Sequence, residues 1–456
     1  MRKMVRSVSI VLVAAALLVF ASCFVVSADQ GTGTAPAVAA AAAPAVAPAA
    51  QIDSGDTAWL LFSAALVLIM TPALGFFYGG MVRKKNVLGT VMHSFWALCI
   101  VSIVWVLWTY SMSFGPSIHG IIGNLSWFGL NGVGQSPSPL GSPKVPHLAF
   151  MAFQMMFAII TPALITGAFA ERMKFSAYTL FIILWSTLVY APIAHWVWNP
   201  GGWLSKLGAL DFAGGTVVHL NAGIAALVAC IVIGKRKGYL EVPMMPHNIG
   251  YTVLGASLLW FGWFGFNAGS AIISGGLASL AFVTTNTATA AAALGWTFTE
   301  WAHKGRPTVL GAASGAVAGL VAITPAAGFV TPMGAIAIGV IAGMICYTAV
   351  NLRPKLGYDD SLDVVGVHGL GGFWGAIATG IFASPAVNPA GRGLLYGNPH
   401  QVTLQFLACG VTLVWSGVVT YVILKVLDAV VGLRVSEKEE EMGLDLSQHD
   451  ESGYNF

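Results

Sequence analysis

The sequence predicts an all-α membrane protein with eleven transmembrane helices, arranged as two inverted five-helix repeats followed by a final helix. The first observation is composition, since 57% of the 456 residues are hydrophobic and only 9% are charged, against roughly 25% charged in soluble domains. The second is a series of apolar stretches long enough to cross a hydrocarbon core of about 30 Å. The third is the one-sided placement of lysine and arginine in the connections.

Two segments precede the predicted bundle. Residues 1–28 combine a basic start, an apolar run ending at Phe20 and small residues after it, which predicts a cleaved secretory signal peptide. Lipoprotein-type processing at Cys23 is a weaker alternative, because Phe20 is an unusual residue three positions before such a cysteine. Residues 29–52 are rich in Ala and Pro and predict a linker that builds no packed core.

The predicted transmembrane domain covers residues 53–432, and a tail, 433–456, follows it. One crossing needs about 20 residues. The predicted spans are 57–79, 87–114, 148–170, 176–198, 211–233, 248–270, 277–301, 308–326, 332–351, 362–383 and 403–431.

Basic residues in the connections set the predicted orientation. The positive-inside rule puts the N-terminus outside and the tail in the cytoplasm, as in a multi-pass protein of the cell inner (plasma) membrane. One side holds Arg83, Lys84, Lys85, Arg172, Lys174, Lys235, Arg236, Lys237, Lys304, Arg306, Arg353, Lys355 and Arg434, and the other only Lys144, Lys206 and Arg392.

Paired motifs indicate an internal repeat. The first helix of each predicted half ends in a Gly-aromatic run, GFFYGG at 75–80 and GWFGFNAGSA at 262–271. The last helix of each half carries an Asp and then a His, in 209–223 and in 361–372. Because five is odd, the second half must enter the membrane from the opposite side, which is the inverted-repeat arrangement common in transporters.

Two histidines inside apolar spans are the main candidate site residues, because titratable groups in membrane helices rarely lack a use. Asp211 precedes His219 by eight residues, and Asp363 precedes His368 by five. At about 1.5 Å per residue across about 30 Å, an axial gap of roughly 10 Å would remain between the two histidines. Direct contact therefore requires both aspartates to lie inside the interface.

A pair of buried imidazoles could relay a small hydrogen-bonding solute or a proton. Burial favours the neutral ring, in which one nitrogen donates and the other accepts, while apolar walls penalise a bare ion. Alternatively each histidine is a satisfied core residue, although the matched placement favours a pair. A metal site is disfavoured, because Asp211 lies two turns from His219 and no third ligand has a clear spacing. Five scattered cysteines predict neither disulfides nor a thiolate site.

Several stretches carry a family resemblance: GALDFAGGTVVH, GWFGFNAGSA, DVVGVHG, FYGGMVRKKNVL and AERMKFSA. From about Asp53 onward the chain resembles the ammonium transporter family (Amt/Mep/Rh), closest to bacterial Amt proteins. The resemblance implies transport of ammonium/ammonia for nitrogen uptake, with methylammonium as an analogue, by a homotrimer with a His-lined pore. It implies no cofactor, metal, catalytic residue or nucleic-acid partner, so the protein is not expected to be an enzyme.

The resemblance also implies roles for single residues. Phe153 and Phe157 correspond to two stacked pore phenylalanines and Trp198 to the outer-vestibule tryptophan, with Phe266 and Ser270 alongside. Aromatic faces and a hydroxyl can hold an ammonium ion, at roughly 0.5 to 2 kcal/mol per ring. The ion would lose its proton before or at the His pair.

Two further residues complete the expected site. Asp211 would support the outer site from beneath, as a negative charge or helix cap, without touching the substrate. Trp263 would line the inner lumen. Aromatics near helix ends are often interface anchors instead, but the motif match favours the site.

The tail and the cellular role leave alternatives. The acidic run Glu437 to Glu441 is typical of a solvated tail, whereas the resemblance implies packing on the inner loops and docking of a PII-type signalling protein. An ammonium sensor of the same fold is a second candidate, expected to carry an appended signalling domain. A CO2 channel of the Rh type is a third, against which the vestibule of Phe153, Phe157 and Trp198 argues.

Overall fold

Apolar helices make up most of the chain in the computed structural model, which describes residues 51–454. The predicted signal peptide (1–28), including Cys23, and residues 29–50 of the predicted linker lie outside the described residues. Their assignment stays a prediction.

Eleven apolar helices form the bundle in the part of the chain that the structure describes. Ten are long and apolar enough to cross a membrane, and the predicted fold class is confirmed. They are α1 (Ser54–Met81), α2 (Lys84–Phe114), α3 (His147–Phe169), α4 (Phe175–Leu207), α5 (Gly215–Ile233), α6 (Ile249–Ala271), α7 (Gly276–Lys304), α8 (Val309–Ile323), α9 (Pro332–Leu356), α10 (Val365–Phe382) and α11 (His400–Val430).

Helix α8 is the exception to the predicted lengths. It has 15 residues, shorter than the predicted span 308–326, and about 22 Å long at 1.5 Å per residue. Pro325 follows two residues after its end and lacks the backbone N–H that would continue the helix. The segment after α8 turns within the protein instead.

The two halves are related as inverted repeats. Helices α1 to α5 form the first half and α6 to α10 the second, and the odd number reverses the second half relative to the first. Equivalent helices meet, since α1 packs against α6 and α5 contacts α10. Helix α11 covers α5 and α10 from outside. The ends of α5 and α10 therefore meet inside the bundle.

Short polar signals set several helix starts. The Asp53 side chain accepts the Asp56 N–H at 2.8 Å at the start of α1. Thr308 and Thr331 cap α8 and α9 in the same way, by accepting the N–H three residues on. Each side chain satisfies one donor that a helix leaves unpaired at its start.

The bundle has two different ends. One, called the basic face, carries Arg83, Arg172 and Arg236, which are joined through Glu171 and Asp359. Two tail helices, α12 (Glu437–Met442) and α13 (Leu444–His449), pack there. The opposite face carries the loop 116–146, with a hairpin of β1 (Ser117–Ile118) and β2 (Ile122–Gly123).

Candidate functional site

His219 and His368 lie in direct contact at the centre of the bundle. Their Nδ1 atoms are 3.3 Å apart, and the rings stack with centroids 5.4 Å apart at 22°. The side chains are 1% and 2% exposed. The two histidines that were paired from the sequence therefore contact each other, and their role in a pore stays a prediction.

Glycines allow this contact. Each histidine lies in a π-helical opening segment, Gly215–Leu220 of α5 and Val365–Leu370 of α10. Gly223 and Gly369 bring the two backbones together, and a Cβ on Gly223 would overlap the Gly369 backbone. Small residues at such crossings let membrane helices approach closely.

Asp211 caps the opening segment that carries His219. Its carboxylate accepts the backbone N–H groups of Gly214, Gly215 and Thr216 at 2.7, 2.6 and 2.8 Å. It also accepts the Thr216 hydroxyl. Both carboxylate oxygens are occupied by these bonds, so Asp211 is a helix cap, and its role in supporting the outer site stays a prediction.

Asp360, rather than Asp363, is the counterpart of Asp211 in the second half. Its Oδ2 accepts the Val365 N–H at 2.7 Å, whereas Asp363 pairs with Arg353. Asp363 does lie at the start of this segment, where its backbone carbonyl accepts the Val367 N–H at 3.0 Å, but its side chain does not cap the segment as that of Asp211 does. Asp360 precedes its histidine by eight residues, as Asp211 does, so this spacing was the signal that sequence reasoning missed.

The predicted axial gap between the histidines does not exist in the structure, where their Nδ1 atoms are 3.3 Å apart. A rise of about 1.5 Å per residue applies only within a helix, and residues 211–214 and 360–363 are not helical. The number of residues between each aspartate and its histidine therefore does not set the depth of the ring.

An aromatic column leads from the opposite face to His219. The rings of Phe157 and Phe266 lie 4.2 Å apart at 37°, and Trp198 meets Phe157 edge-on at 5.8 Å. The Phe266 ring lies 5.9 Å from His219. Phe157 and Phe266 are 1% and 0% exposed, so they close the column between Trp198 and the histidines.

Phe153 lies next to Phe157, as the resemblance implied, but its ring meets that of Phe157 edge-on, at 64° and 4.9 Å, rather than stacking on it. The ring that lies closer and more nearly parallel to Phe157 is Phe266, which belongs to the other half. The resemblance placed Phe266 alongside this site but did not identify it as the nearest partner of Phe157, from which 109 residues separate it.

Ser270 and Trp198 are both half-buried next to this column. The Ser270 hydroxyl donates to the Phe266 carbonyl at 2.8 Å, which leaves its oxygen lone pairs as acceptors. The Trp198 indole N–H donates to the Asp211 carbonyl at 3.0 Å. Asp211 therefore links the outer tryptophan to the cap of the His219 segment.

Trp263 stacks on His219, with centroids 5.3 Å apart at 21°, and its ring also lies 5.2 Å from that of Phe266. Its indole N–H donates to the Thr324 hydroxyl at 2.8 Å. Thr324 follows α8, and nothing in its sequence context marked it as a partner. The rings of Trp263, Phe266 and His219 therefore form one cluster.

No metal centre is present among the described residues, where His, Cys, Asp and Glu form no group of three or more that could hold an ion. The cysteines of this part of the chain are unpaired: Cys99, Cys230, Cys346 and Cys409.

A buried ion-pair network holds the basic face together. Glu171 contacts Arg83 at 2.6 Å and Arg236 at 3.3 Å, and Arg236 also pairs with Asp359 at 2.8 Å. Burial by itself raises the pKa of Glu171, but the two guanidinium groups outweigh it, and the net pKa is lowered. Glu171 is therefore held as an anion between α3 and α4.

The tail packs on this network rather than extending into solvent. Glu440, 2% exposed, accepts the Lys237 N–H at 2.7 Å and pairs with Arg434 at 2.7 Å. Asp445 accepts the Gly89 N–H at 2.8 Å. Of the two readings of the acidic run, packing against the inner connections is the one that this structure has.

Residues 58–454 match a model of the Ammonium Transporter Family. The chain belongs to this family. The predicted resemblance is thereby confirmed, and this member of the ammonium transporter family is a multi-pass membrane protein and not an enzyme.

The alignments of this chain with its relatives in the family cover nearly the whole length of those relatives. An ammonium transporter of Bacillus subtilis is 55% identical over 402 residues, 88% of this chain and 98% of that protein. One of Aquifex aeolicus is 53% identical over 410 residues, 89% and 95%. Ammonium transporter Amt1 of Archaeoglobus fulgidus is 51% identical over 403 residues, 88% and 100%.

Solved structures share the fold. Mep2 of Saccharomyces cerevisiae superposes with a TM-score of 0.81 at 38% identity, covering 85% of this chain and 89% of Mep2. A sensor Amt protein superposes with the same TM-score of 0.81 at 30% identity, covering 87% and 98%. The ammonium transporter fold thus occurs in a protein named as a sensor as well as in Mep2.

Proposed function

We propose that this protein moves ammonium/ammonia across the membrane through a pore that passes the aromatic column and the His219 and His368 pair. The observation that carries the proposal is the contact of two buried imidazoles 3.3 Å apart. His219 Nε2 is buried without a hydrogen-bond partner among the described residues. A buried polar atom without a partner costs free energy, so a passing N–H or lone pair would be favoured there.

Recruitment would begin at Trp198, Phe157, Phe266 and Ser270. Ring faces attract a cation, with roughly 0.5 to 2 kcal/mol per ring. The Ser270 oxygen has lone pairs free to accept an N–H, because its own hydrogen is donated to Phe266. These features select a small cation that can donate hydrogen bonds over one that cannot, such as K+.

Deprotonation would take place at the contact of Phe157 and Phe266, with the proton passing to water on the outer side. Beyond these rings the path is lined by His219, Trp263 and His368, and none of these neutral groups compensates a bare charge. Moving an unpaired ion into such surroundings is very costly, whereas neutral ammonia needs only hydrogen-bond partners. The substrate would therefore leave a proton on the outer side of this contact.

The His pair would then carry the neutral species. When one Nδ1 donates to the other, the first ring presents an accepting Nε2 and the second a donating Nε2–H. Ammonia is both donor and acceptor, so each ring offers it a complementary group. Moving the shared hydrogen alone would charge both rings, so the two roles reverse only if the first Nε2 gains a hydrogen while the second Nε2 gives its hydrogen up.

Location and assembly follow as further proposals. One-sided lysine and arginine favour a cytoplasmic basic face in the inner membrane, with the N-terminus outside. Family membership supports a homotrimer. The packed tail helices α12 and α13 lie where a PII-type signalling protein would dock.

Transport can be tested in reconstituted bilayers. Methylammonium uptake and ionic current are measured for the wild type, for His219→Ala with His368→Ala, and for His400→Ala, which changes an exposed histidine at the start of α11. We expect uptake without K+ current in the wild type and the His400 variant, and K+ current in the double variant. Unchanged selectivity in the double variant would remove the pair from the mechanism, and no flux in the wild type would favour a sensor.

A further inference from the structure

The chain reverses direction through a strained turn directly after Ser270. Ile272 has φ 66° and ψ −44°, and the Ile273 N–H donates to the Ala271 carbonyl at 2.7 Å. Together these define a γ-turn with positive φ, which is rare and strained. A β-branched residue in this region is a further outlier. Such a turn persists only where its surroundings force it.

Asp56 supplies one of the forces that hold the turn. Its side chain is buried in the first turn of α1, where the residue is 5% exposed. Its Oδ1 accepts both the backbone N–H and the hydroxyl of Ser274, each at 2.8 Å. The start of α1 therefore fixes the chain four residues after Ser270.

The loop 116–146 packs against the turn at Ile272 from outside. The Asp53 N–H donates to the Lys144 carbonyl at 2.8 Å, which ties this loop to the start of α1. Gly141 has φ 69°, and a Cβ there would lie 3.2 Å from Ile272 Cγ1 and 3.0 Å from the Phe150 ring. Close packing at a glycine thus covers Ile272, which is 9% exposed.

We propose that Asp56 is a positioning residue for the outer aromatic site, acting through Ser274 and the turn at Ile272 to hold the Ser270 oxygen beside Phe266. This inference rests on the proposed function, because it takes Ser270 as a group that accepts a hydrogen bond from the substrate cation. Asp56 acts by its two hydrogen bonds and not by attracting the cation. Its buried Oδ1 is occupied by Ser274.

The strained turn keeps the last turn of helix α6 closed. Helix α6 ends at Ala271, and a relaxed connection would let its last turn fray, as helix ends do. Ser270 lies in that last turn, and its hydroxyl keeps its bond to Phe266 only while the turn stays closed. Anchoring the chain at Ser274 prevents the fraying and fixes the distance from the hydroxyl to the rings.

The first experiment measures methylammonium uptake against concentration in proteoliposomes. Asp56→Ala is expected to raise the half-saturating concentration about tenfold, the equivalent of one charge-assisted hydrogen bond, with a smaller change in maximal rate. Asp56→Asn keeps an accepting oxygen and is expected to stay near wild type. Asp53→Ala, which removes only the cap of the same helix, is the matched control and should leave the half-saturating concentration unchanged.

The second experiment repeats Asp56→Ala in an Ile272→Gly background. Glycine adopts positive φ without strain, so the turn needs less anchoring, and the shift caused by Asp56→Ala should be smaller there. If Asp56→Ala alone fails to fold, the double variant is compared with Ile272→Gly, and a rise of less than about tenfold in the half-saturating concentration supports the inference while a larger rise overturns it. An equal or larger shift in the glycine background would overturn the inference.

The remaining outcomes separate this inference from the proposed function. If Asp56→Asn behaves like Asp56→Ala, charge rather than position matters, and the inference fails. It also fails if Asp56→Ala matches Asp53→Ala. Ser270→Ala tests the outer site itself, since an unchanged half-saturating concentration in that variant would refute the proposed recruitment at Ser270. A shift in Ser270→Ala without one in Asp56→Ala would refute the positioning role alone.

Discussion

Replacing Asp211 by Ala should disable transport while leaving the bundle folded. The carboxylate accepts the N–H groups of Gly214, Gly215 and Thr216, together with the Thr216 hydroxyl. In the Asp211→Ala protein these donors lose their partner at the start of α5. The His219 N–H itself bonds the Gly214 carbonyl at 3.0 Å, so any movement of this segment reaches the His pair directly.

The expected magnitude follows from the bonds that are lost. A hydrogen bond to a charged acceptor contributes about 1.5 to 3 kcal/mol. Because neighbouring bonds are not additive, only two are taken as independent, which gives about 3 kcal/mol at the lower limit. That corresponds to a reduction of roughly a hundredfold in the population with the native pore geometry. Trp198 should move as well, since its indole N–H bonds the Asp211 carbonyl.

The assay is methylammonium uptake by proteoliposomes holding equal amounts of protein that elutes as wild type does in size-exclusion chromatography. Thr216→Val is the matched control, because it removes the hydroxyl but keeps the backbone donors and the carboxylate. We expect about tenfold loss or less from that single bond. If folded Asp211→Ala transports as well as Thr216→Val, the capping role is refuted.

Two more predictions concern the basic face and the helix crossing. Glu171→Gln leaves Arg83 without its anion and Arg236 with Asp359 alone. Breaking a buried pair of this kind should lower the free energy of unfolding by about 3 kcal/mol, seen as a lower midpoint in thermal unfolding in detergent. The folded state lowers the pKa of Glu171, so the stabilisation by this carboxylate is fully present above the ordinary carboxyl pKa of about 4.3. This stabilisation is lost as the pH falls through the folded pKa. A wild-type unfolding midpoint that depends on acid pH in the same way as that of Glu171→Gln would contradict this. Gly223→Ala should separate the histidines and reduce uptake by about tenfold or more, whereas Gly369→Ala, whose Cβ would lie 3.5 Å from the Gly223 Cα, should be much milder; equal effects would refute the close crossing.

Several site residues could be assigned from the sequence alone, because polar groups in apolar membrane helices carry a large free-energy cost. Imidazoles are expensive in membrane helices, and this marked His219 and His368. The spacing of eight residues also placed Asp211 at the start of its segment. The same spacing of eight residues would have identified Asp360, but Asp363, which lies nearer to His368, was chosen instead. Asp363 is in fact held by Arg353.

Other parts of the site depend on contacts between distant segments. Phe266, rather than Phe153, lies closest to Phe157, and Thr324 holds Trp263. No periodicity records such contacts, since each partner is an ordinary residue of its own helix.

The sequence by itself determined the membrane class, the number of apolar helices, the inverted halves and the two histidines, because hydropathy, charge placement and the cost of buried polar groups act along the chain. Only the tertiary structure decided that the two imidazoles, 149 residues apart, meet at 3.3 Å, and that the acidic tail packs on the basic face. Those outcomes depend on how closely helix backbones approach at Gly223 and on which charges neutralise each other. Both are properties of the assembled bundle and not of any one segment.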